Sequence, residues 1–260
     1  MRRGRILETA SVLALLALLA TASSASALRT YSEPIEATST DIEAGKVKCE
    51  EGERVVSGGF TGFVGEYALV NKAVRGKAWL VKGEFSPGAE AFANCSPRLK
   101  PEEAKATKDF DEVRASATAK CKKGEAVAGG WAFKPLLPNS DVFTSRPSFN
   151  RWKTGAFSEA KGIDRITSFA YCLRKDAVVH QTTSVLPSNG STSTPASCDP
   201  GAELLGGGFE TLPEPDFSGT TGPDPAIYGF GRTDQIEWTV EGQNYSPIAG
   251  SLEGFAVCLP

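Results

Sequence analysis

One pattern of punctuation recurs three times along the chain, and it restricts the fold more than any other feature. The first copy reads Cys49-x-x-Gly52, Gly58-Gly59-Phe60, Trp79, Phe85-Ser86-Pro87 and Phe92-Ala93-Asn94-Cys95. The second reads Cys121-x-x-Gly124, Gly129-Gly130-Trp131, Trp152, Phe157-Ser158 and Phe169-Ala170-Tyr171-Cys172. The third reads Cys198-x-x-Gly201, Gly207-Gly208-Phe209, Trp238, Tyr245-Ser246-Pro247 and Phe255-Ala256-Val257-Cys258. A fixed order of landmarks repeated at this period is the mark of a structure assembled from one supersecondary unit. The copies span roughly 36–100, 107–176 and 177–260.

Each landmark has a local physical meaning. The Cys-x-x-Gly segments are polar turns with glycine at the position that needs positive φ. The stretches Arg54-Val55-Val56, Ala126-Val127 and Leu204-Leu205 begin strands that run into a glycine pair. Glycine pairs inside strands mark bulges or close approach of a ring or backbone. The aromatic that follows (Phe60, Trp131, Phe209) is then a core residue. The closing strands alternate, with Phe169 and Tyr171 on one face and Ala170 and Cys172 on the other. No segment beyond the N-terminus sustains a helical period. Pro101-Glu102-Glu103-Ala104-Lys105 is the best helical candidate, read as a short linker between copies. About five short strands per copy, separated by Gly, Pro, Asn and Ser turns, give an all-β chain of three antiparallel units. The expected arrangement is a pseudo-threefold β-prism or a related sandwich-like packing. Two loops differ between copies, Lys134 to Pro147 in copy two and Leu212 to Ala226 in copy three, and divergent loops are where function is grafted.

The N-terminus reads as an export signal. Arg2, Arg3 and Arg5 precede the apolar run Val12 to Ala20 and the small residues Ala25-Ser26-Ala27. That order matches a secretory leader cleaved after Ala27, and nine apolar residues fall well short of the ~20 a spanning helix needs. The chain then left, residues 28–260, is expected to be secreted. The whole chain holds 28 basic and 31 acidic residues, and residues 1–27 contain three of the former and one of the latter, so the remainder carries a net charge of about −5. Both signs are interspersed, which argues against a nucleic-acid partner. No second apolar stretch is long enough to span a membrane. Cys49, Cys95, Cys121, Cys172, Cys198 and Cys258 include no Cys-x-x-Cys pair, and His180 is the one histidine. Disulfides in an oxidising compartment fit this better than a metal site. Six cysteines allow 15 connectivities. The repeat favours Cys49–Cys95, Cys121–Cys172 and Cys198–Cys258, each worth about 3–4 kcal/mol in the loop-entropy account. A daisy chain with a Cys95–Cys121 bridge is the alternative.

The Cys-x-x-Gly … Gly-Gly-[Phe/Trp] … Trp … Phe-Ala-x-Cys pattern resembles a repeat of exported proteins from high-GC Gram-positive bacteria. The resemblance covers residues 28–260; it implies an exported β-repeat domain and supplies no active-site residues. In architecture the chain is also similar to the β-prism of the vitelline membrane outer layer protein, with three Greek-key sheets about a pseudo-threefold axis. That likeness implies fold only. The glycine-pair spacing slips by one residue in copy two, and copy three is longer than its siblings.

Against this scaffold the chemical signals are few. Trp79, Trp152 and Trp238 share one repeat position and Trp131 replaces Phe60 and Phe209, so the tryptophans are expected in the core. Tyr228, Phe230, Asp216 and Asp224 lie outside the shared landmarks and are the candidate binding residues. His180 would be the sole His-dependent base, and no Gly-x-Ser-x-Gly elbow accompanies it. Glu50, Glu51 and Glu53 sit at a turn and are expected to be solvated. Glu214, Asp216 and Asp224 lack EF-hand spacing. Asn94, Asn189 and Asn244 open formal glycosylation sequons. No catalytic residue, cofactor or metal ligand is assigned. The expectation is a secreted, non-catalytic extracellular or envelope-associated module that binds glycan or protein through divergent inter-repeat loops. The alternatives are a hydrolase or lyase working through a carboxylate pair, and a structural matrix protein.

Overall fold

The computed structural model describes residues 28–36, 42–110, 113–136, 140–158, 165–213 and 224–260. The leader reading falls on residues 1–27, outside them. Among the described residues eighteen strands form, six from each copy, and no helix. Counted by strands, copy one begins at Arg29 and copy two at Glu102, ahead of the 36 and 107 read from the landmarks, because each copy opens with a strand that precedes its first landmark. Copy one supplies β1 (Arg29–Pro34), β2 (Glu43–Lys48), β3 (Arg54–Thr61), β4 (Tyr67–Val74), β5 (Ala78–Glu84) and β6 (Glu90–Ser96). Copy two supplies β7 (Glu102–Asp109), β8 (Arg114–Lys120), β9 (Glu125–Lys134), β10 (Ser140–Ser148), β11 (Arg151–Ser158) and β12 (Arg165–Leu173). Copy three supplies β13 (Val178–Leu186), β14 (Ser191–Ser197), β15 (Glu203–Leu212), β16 (Pro225–Arg232), β17 (Glu237–Asn244) and β18 (Gly250–Leu259).

The copies do not fold as separate sheets. Three antiparallel sheets form, ordered β1-β6-β3-β16-β17-β14, β13-β18-β15-β10-β11-β8 and β2-β5-β4-β9-β12-β7. Every sheet joins strands one, six and three of one copy to strands four, five and two of another, so the three copies exchange halves cyclically about a pseudo-threefold axis. The expected all-β, three-unit architecture is therefore present, with six strands per copy rather than five. The three disulfides are Cys49–Cys95, Cys121–Cys172 and Cys198–Cys258.

Each joint between copies is only two residue pairs long: Phe230↔Phe60, Asn71↔Trp131 and Ser145↔Phe209 are its equivalent centres. The glycine pairs explain why it closes. A Cβ on Gly58, Gly129 or Gly207 would run into the tryptophan of the same copy, Trp79, Trp152 or Trp238. A Cβ on Gly59, Gly130 or Gly208 would strike the carbonyl of Phe230, Asn71 or Ser145 on the joined strand. The first glycine therefore admits the copy's own indole, and the second admits the neighbouring copy's backbone. The turn glycines Gly52, Gly124 and Gly201 adopt φ of +89°, +74° and +92°.

On the axis Phe60, Trp131 and Phe209 meet edge to face, with centroids 6.4 Å apart for Phe60–Trp131 and 6.0 Å for Trp131–Phe209. The four tryptophans are all buried. Nearer the disulfides, Val56, Val127 and Leu205 close a second apolar layer.

Two local readings change. Residues 102–109 form strand β7, not a linker, paired from Glu102↔Cys172 to Arg165↔Asp109 with β12. Most of the segment Lys134 to Pro147 is strand β10. Pro147 is tolerated there because β10 meets β15 only at Thr144 and Ser145, so the missing N–H costs no ladder bond on that side.

Candidate functional site

With the three copies equivalent by position, function is sought where they differ. The first residue of each third strand, four before the glycine pair, is Arg54, Glu125 or Glu203. The residue just before the first strand of the following copy is Pro101, Ala177 or Leu28, fixed by the pairing of Glu102, Val178 and Arg29 with the last cysteine of each copy. At two junctions these positions bond to each other. The Ala177 N–H donates to Glu125 Oε2 at 2.7 Å. The Leu28 N–H donates to Glu203, while Arg232 donates to the Leu28 carbonyl at 3.0 Å. Burial raises the Glu203 carboxyl above its ordinary range, partly offset by that bond and by Arg232.

At the junction of copies one and two the seal is gone. Pro101 has no N–H to offer and Arg54 stands where the carboxylate would be. What remains is a cleft of about 440 Å³. Arg54, Arg75 and Lys100 line it from three segments, and Glu103 is the one acidic residue on its wall. Among the described residues no carboxylate oxygen lies within 4 Å of the nitrogens of those three cations. Tyr171 forms part of the wall, and its buried hydroxyl accepts the Ala73 N–H at 2.6 Å. Burial raises the Tyr171 phenol well above its ordinary range, so it stays neutral. Arg75 holds a left-handed φ of 53° at the tip of the β4–β5 hairpin, beside Gly76 at 62°. That pairing is the geometry of a primed two-residue turn. The turn is anchored by Val55 N–H to Gly76 O at 3.1 Å and Cys49 N–H to Lys77 O at 3.0 Å. The cation is thus presented on a pinned backbone.

The residues singled out from the sequence fall elsewhere. Phe230 is a core residue, 2% exposed, with its ring 5.8 Å from Trp131, 5.4 Å from Phe209 and 5.0 Å from Trp238. These three rings make it part of the aromatic core. Tyr228 is half-buried on β16, its phenol raised by burial and by Glu241. Asp224 precedes β16 and donates its N–H to Asn244 Oδ1 at 3.0 Å. Asp216 and Glu214 lie outside the described residues. Tyr228 and Asp224 share the end of the molecule opposite the cleft with Asp141 and Tyr245. There burial, then Asp224 and Glu84, push the Asp141 carboxyl up to about 7. His180 lies with Nε2 3.7 Å from Asp199 Oδ2 on the surface.

Three further expectations are refined. Glu50 and Glu51 are exposed as expected, but Glu53 is buried, 3.6 Å from Arg29. The only close set of metal-capable atoms among the described residues is Cys49, Glu53 and Cys95, and its sulfurs are joined in a disulfide. Of the sequon asparagines, Asn94 and Asn244 are buried and only Asn189 is exposed. No helix among the described residues is long and apolar enough to cross a membrane.

Arg54, Arg75 and Lys100 escaped sequence reading because each is an ordinary surface cation by composition. The signal was available only by aligning copies: Arg for Glu at position 54, matched by Pro at 101. No protein-family model matches the chain, and no curated protein matches it.

Proposed function

We propose that the protein is an exported, non-catalytic binding module that takes an anionic ligand in the cleft between copies one and two. The ligand class is a carboxylate- or sulfate-bearing glycan of the cell surface. One observation carries this reading: the carboxylate-to-backbone seal of two junctions is replaced, at the third alone, by an open cleft with three cations. Guanidinium groups suit planar carboxylate and sulfate oxygens through paired N–H donors, and an ammonium adds a mobile point charge. Three disulfides, typical of extracellular proteins, support placement outside the cell.

Calorimetric titration with polygalacturonate, a sulfated glycan and a neutral glucan tests it. Binding to the acidic polymers that weakens with salt is expected, with at least a tenfold loss in Arg54→Glu. Equal binding of the neutral polymer, or an affinity indifferent to Arg54→Glu, would overturn it.

A second reading, hydrolysis through a carboxylate pair, rests on Asp141 lying near Asp224, with its carboxyl pushed up to about 7 by burial and then by Asp224 and Glu84. Glycan cleavage abolished in Asp141→Asn would favour it over binding alone.

A further inference from the structure

The first strand of each copy protrudes. β1, β7 and β13 pair on one side only, with β6, β12 and β18. Their residues are exposed on both faces, with burial confined to scattered positions and to Leu186 at the end of β13. The opposite sheet edges, β2, β8 and β14, are covered instead: each packs on the face of a neighbouring sheet, at β6, β12 and β18, and also touches that sheet's outer strand, β1, β7 or β13, without pairing with it. At Gly254 on β18 an added Cβ would lie 2.8 Å from the Thr194 carbonyl of β14. The prism is therefore a pinwheel with three projecting edges.

An open edge presents unpaired N–H and C=O groups, and proteins guard such edges with charge or proline. Two of the three are guarded. β7 carries Glu102, Glu103, Lys105, Lys108 and Asp109, and β1 carries Arg29, Glu33 and Pro34. β13, Val-Val-His-Gln-Thr-Thr-Ser-Val-Leu, has no Asp, Glu, Lys, Arg or Pro over nine residues. Val179 is 45% exposed and Val185 72%.

We propose that β13 is a strand-addition surface whose occupant is β13 of a second copy of this chain. Antiparallel pairing about a two-fold through Thr182 sets Val179 opposite Val185 twice, Gln181 opposite Thr183 and His180 opposite Ser184. Val179 and Val185 are thereby covered by β-branched partners, the pairing that stabilises cross-strand neighbours, and the exposed Val178 falls opposite Leu186. No formal charge opposes another along the seam, whereas the same operation on β7, about Ala106, sets Glu103 against Asp109. Strand addition supplies main-chain hydrogen bonds along the pair, and an isologous two-fold satisfies both edges at once. A single strand pair buries less than a standard interface, so the expected affinity is micromolar.

Sedimentation equilibrium of the exported, disulfide-bonded protein over a range of concentrations tests this. A monomer–dimer equilibrium is expected. Thr182→Lys, an exposed position on the two-fold, should weaken it at least tenfold by placing like charges together. Mixing Thr182→Lys with Thr182→Glu should restore the dimer, and Ala106→Lys at the matching place on β7 should leave it unchanged. Unaltered thermal unfolding of each variant shows that the fold is intact. A protein monomeric at every concentration, a dimer indifferent to Thr182→Lys, or a mixture that fails to re-associate would each overturn the proposal.

Discussion

The junction of copies one and two and the junction of copies two and three are built on the same strands in the same register, yet one is open and the other sealed. In the sealed junction Glu125 neutralises a backbone donor, the Ala177 N–H, that would otherwise lack a partner. In the open one Pro101 removes the donor itself, and the side chain at the matching place is released from structural duty. A repeat thus offers three trials of one position. Where two trials are spent on the scaffold, the third, once its obligation is deleted, is free to carry charge toward solvent. The same logic divides the copies at their tryptophans. Trp79 Nε1 donates to Asn71 Oδ1 at 2.5 Å, and Trp152 Nε1 donates to Ser145 Oγ at 2.9 Å. In copy three the matching residue is Phe230, and the buried Trp238 Nε1 has no hydrogen-bond partner.

That second contrast gives the largest expected effect. Trp79→Phe and Trp152→Phe each shrink a buried ring and strand a buried acceptor, costing about 2–4 kcal/mol. Trp238→Phe shrinks the same ring but also deletes an orphaned donor, so its cost is expected to be smaller by about 1–3 kcal/mol. Urea unfolding at matched m-values measures the difference. Equal losses in all three copies would show that the indole bonds contribute nothing and that ring volume alone decides.

A medium effect separates the two ends of the prism. Burial first, and then Asp224 and Glu84, push the Asp141 carboxyl up from its ordinary 3.8 to about 7. Between those values the folded chain binds more protons than the unfolded chain. The stabilising contribution is therefore complete below about pH 4 and is lost as pH rises toward 7. Three units would amount to about 4 kcal/mol, and partial exposure leaves on the order of 2 kcal/mol. Asp141→Asn should flatten this part of the stability profile and gain most over the parent above pH 7. A parent profile flat from pH 4 to 7, followed by thermal unfolding, would count against a protonated Asp141.

Much of this scaffold is legible in the sequence because its constraints are local. A turn that needs positive φ takes Gly52, and a strand that must admit an indole takes Gly58. The half-exchange between copies is not legible, since no residue of β3 states whether its neighbour is β4 or β16. Strand β7 is hidden for a related reason. Glu, Ala and Lys are good helix formers, and only the ladder to β12 overrides that preference in an exposed edge strand that buries almost nothing. Phe230 illustrates the opposite failure. It breaks the repeat, as a ligand-binding residue would, but the break serves the core, where an aromatic replaces Asn71 and Ser145. Departure from the repeat therefore marks a position worth inspecting, and only its exposure tells whether the change faces a ligand or a neighbour.

The smallest stability effect bears most directly on the two junctions. Glu125→Gln keeps the shape but weakens the bond to the Ala177 N–H from charge-assisted to neutral, costing about 0.5–1 kcal/mol, and Glu125→Ala, which orphans that N–H, costs about 1–3 kcal/mol. Arg54→Glu should change stability by no more than about 0.5 kcal/mol, because Pro101 presents no donor for the new carboxylate to accept. The double variant Arg54→Glu, Pro101→Ala rebuilds the seal of the other junctions. If the comparison is sound, it should be more stable than Arg54→Glu alone by about 1 kcal/mol while remaining unable to bind the anionic polymer. Chemical denaturation of the three variants, read beside the titration, separates the roles. A large loss in Arg54→Glu would mean that Arg54 supports the fold, and the cleft would then be a by-product of packing.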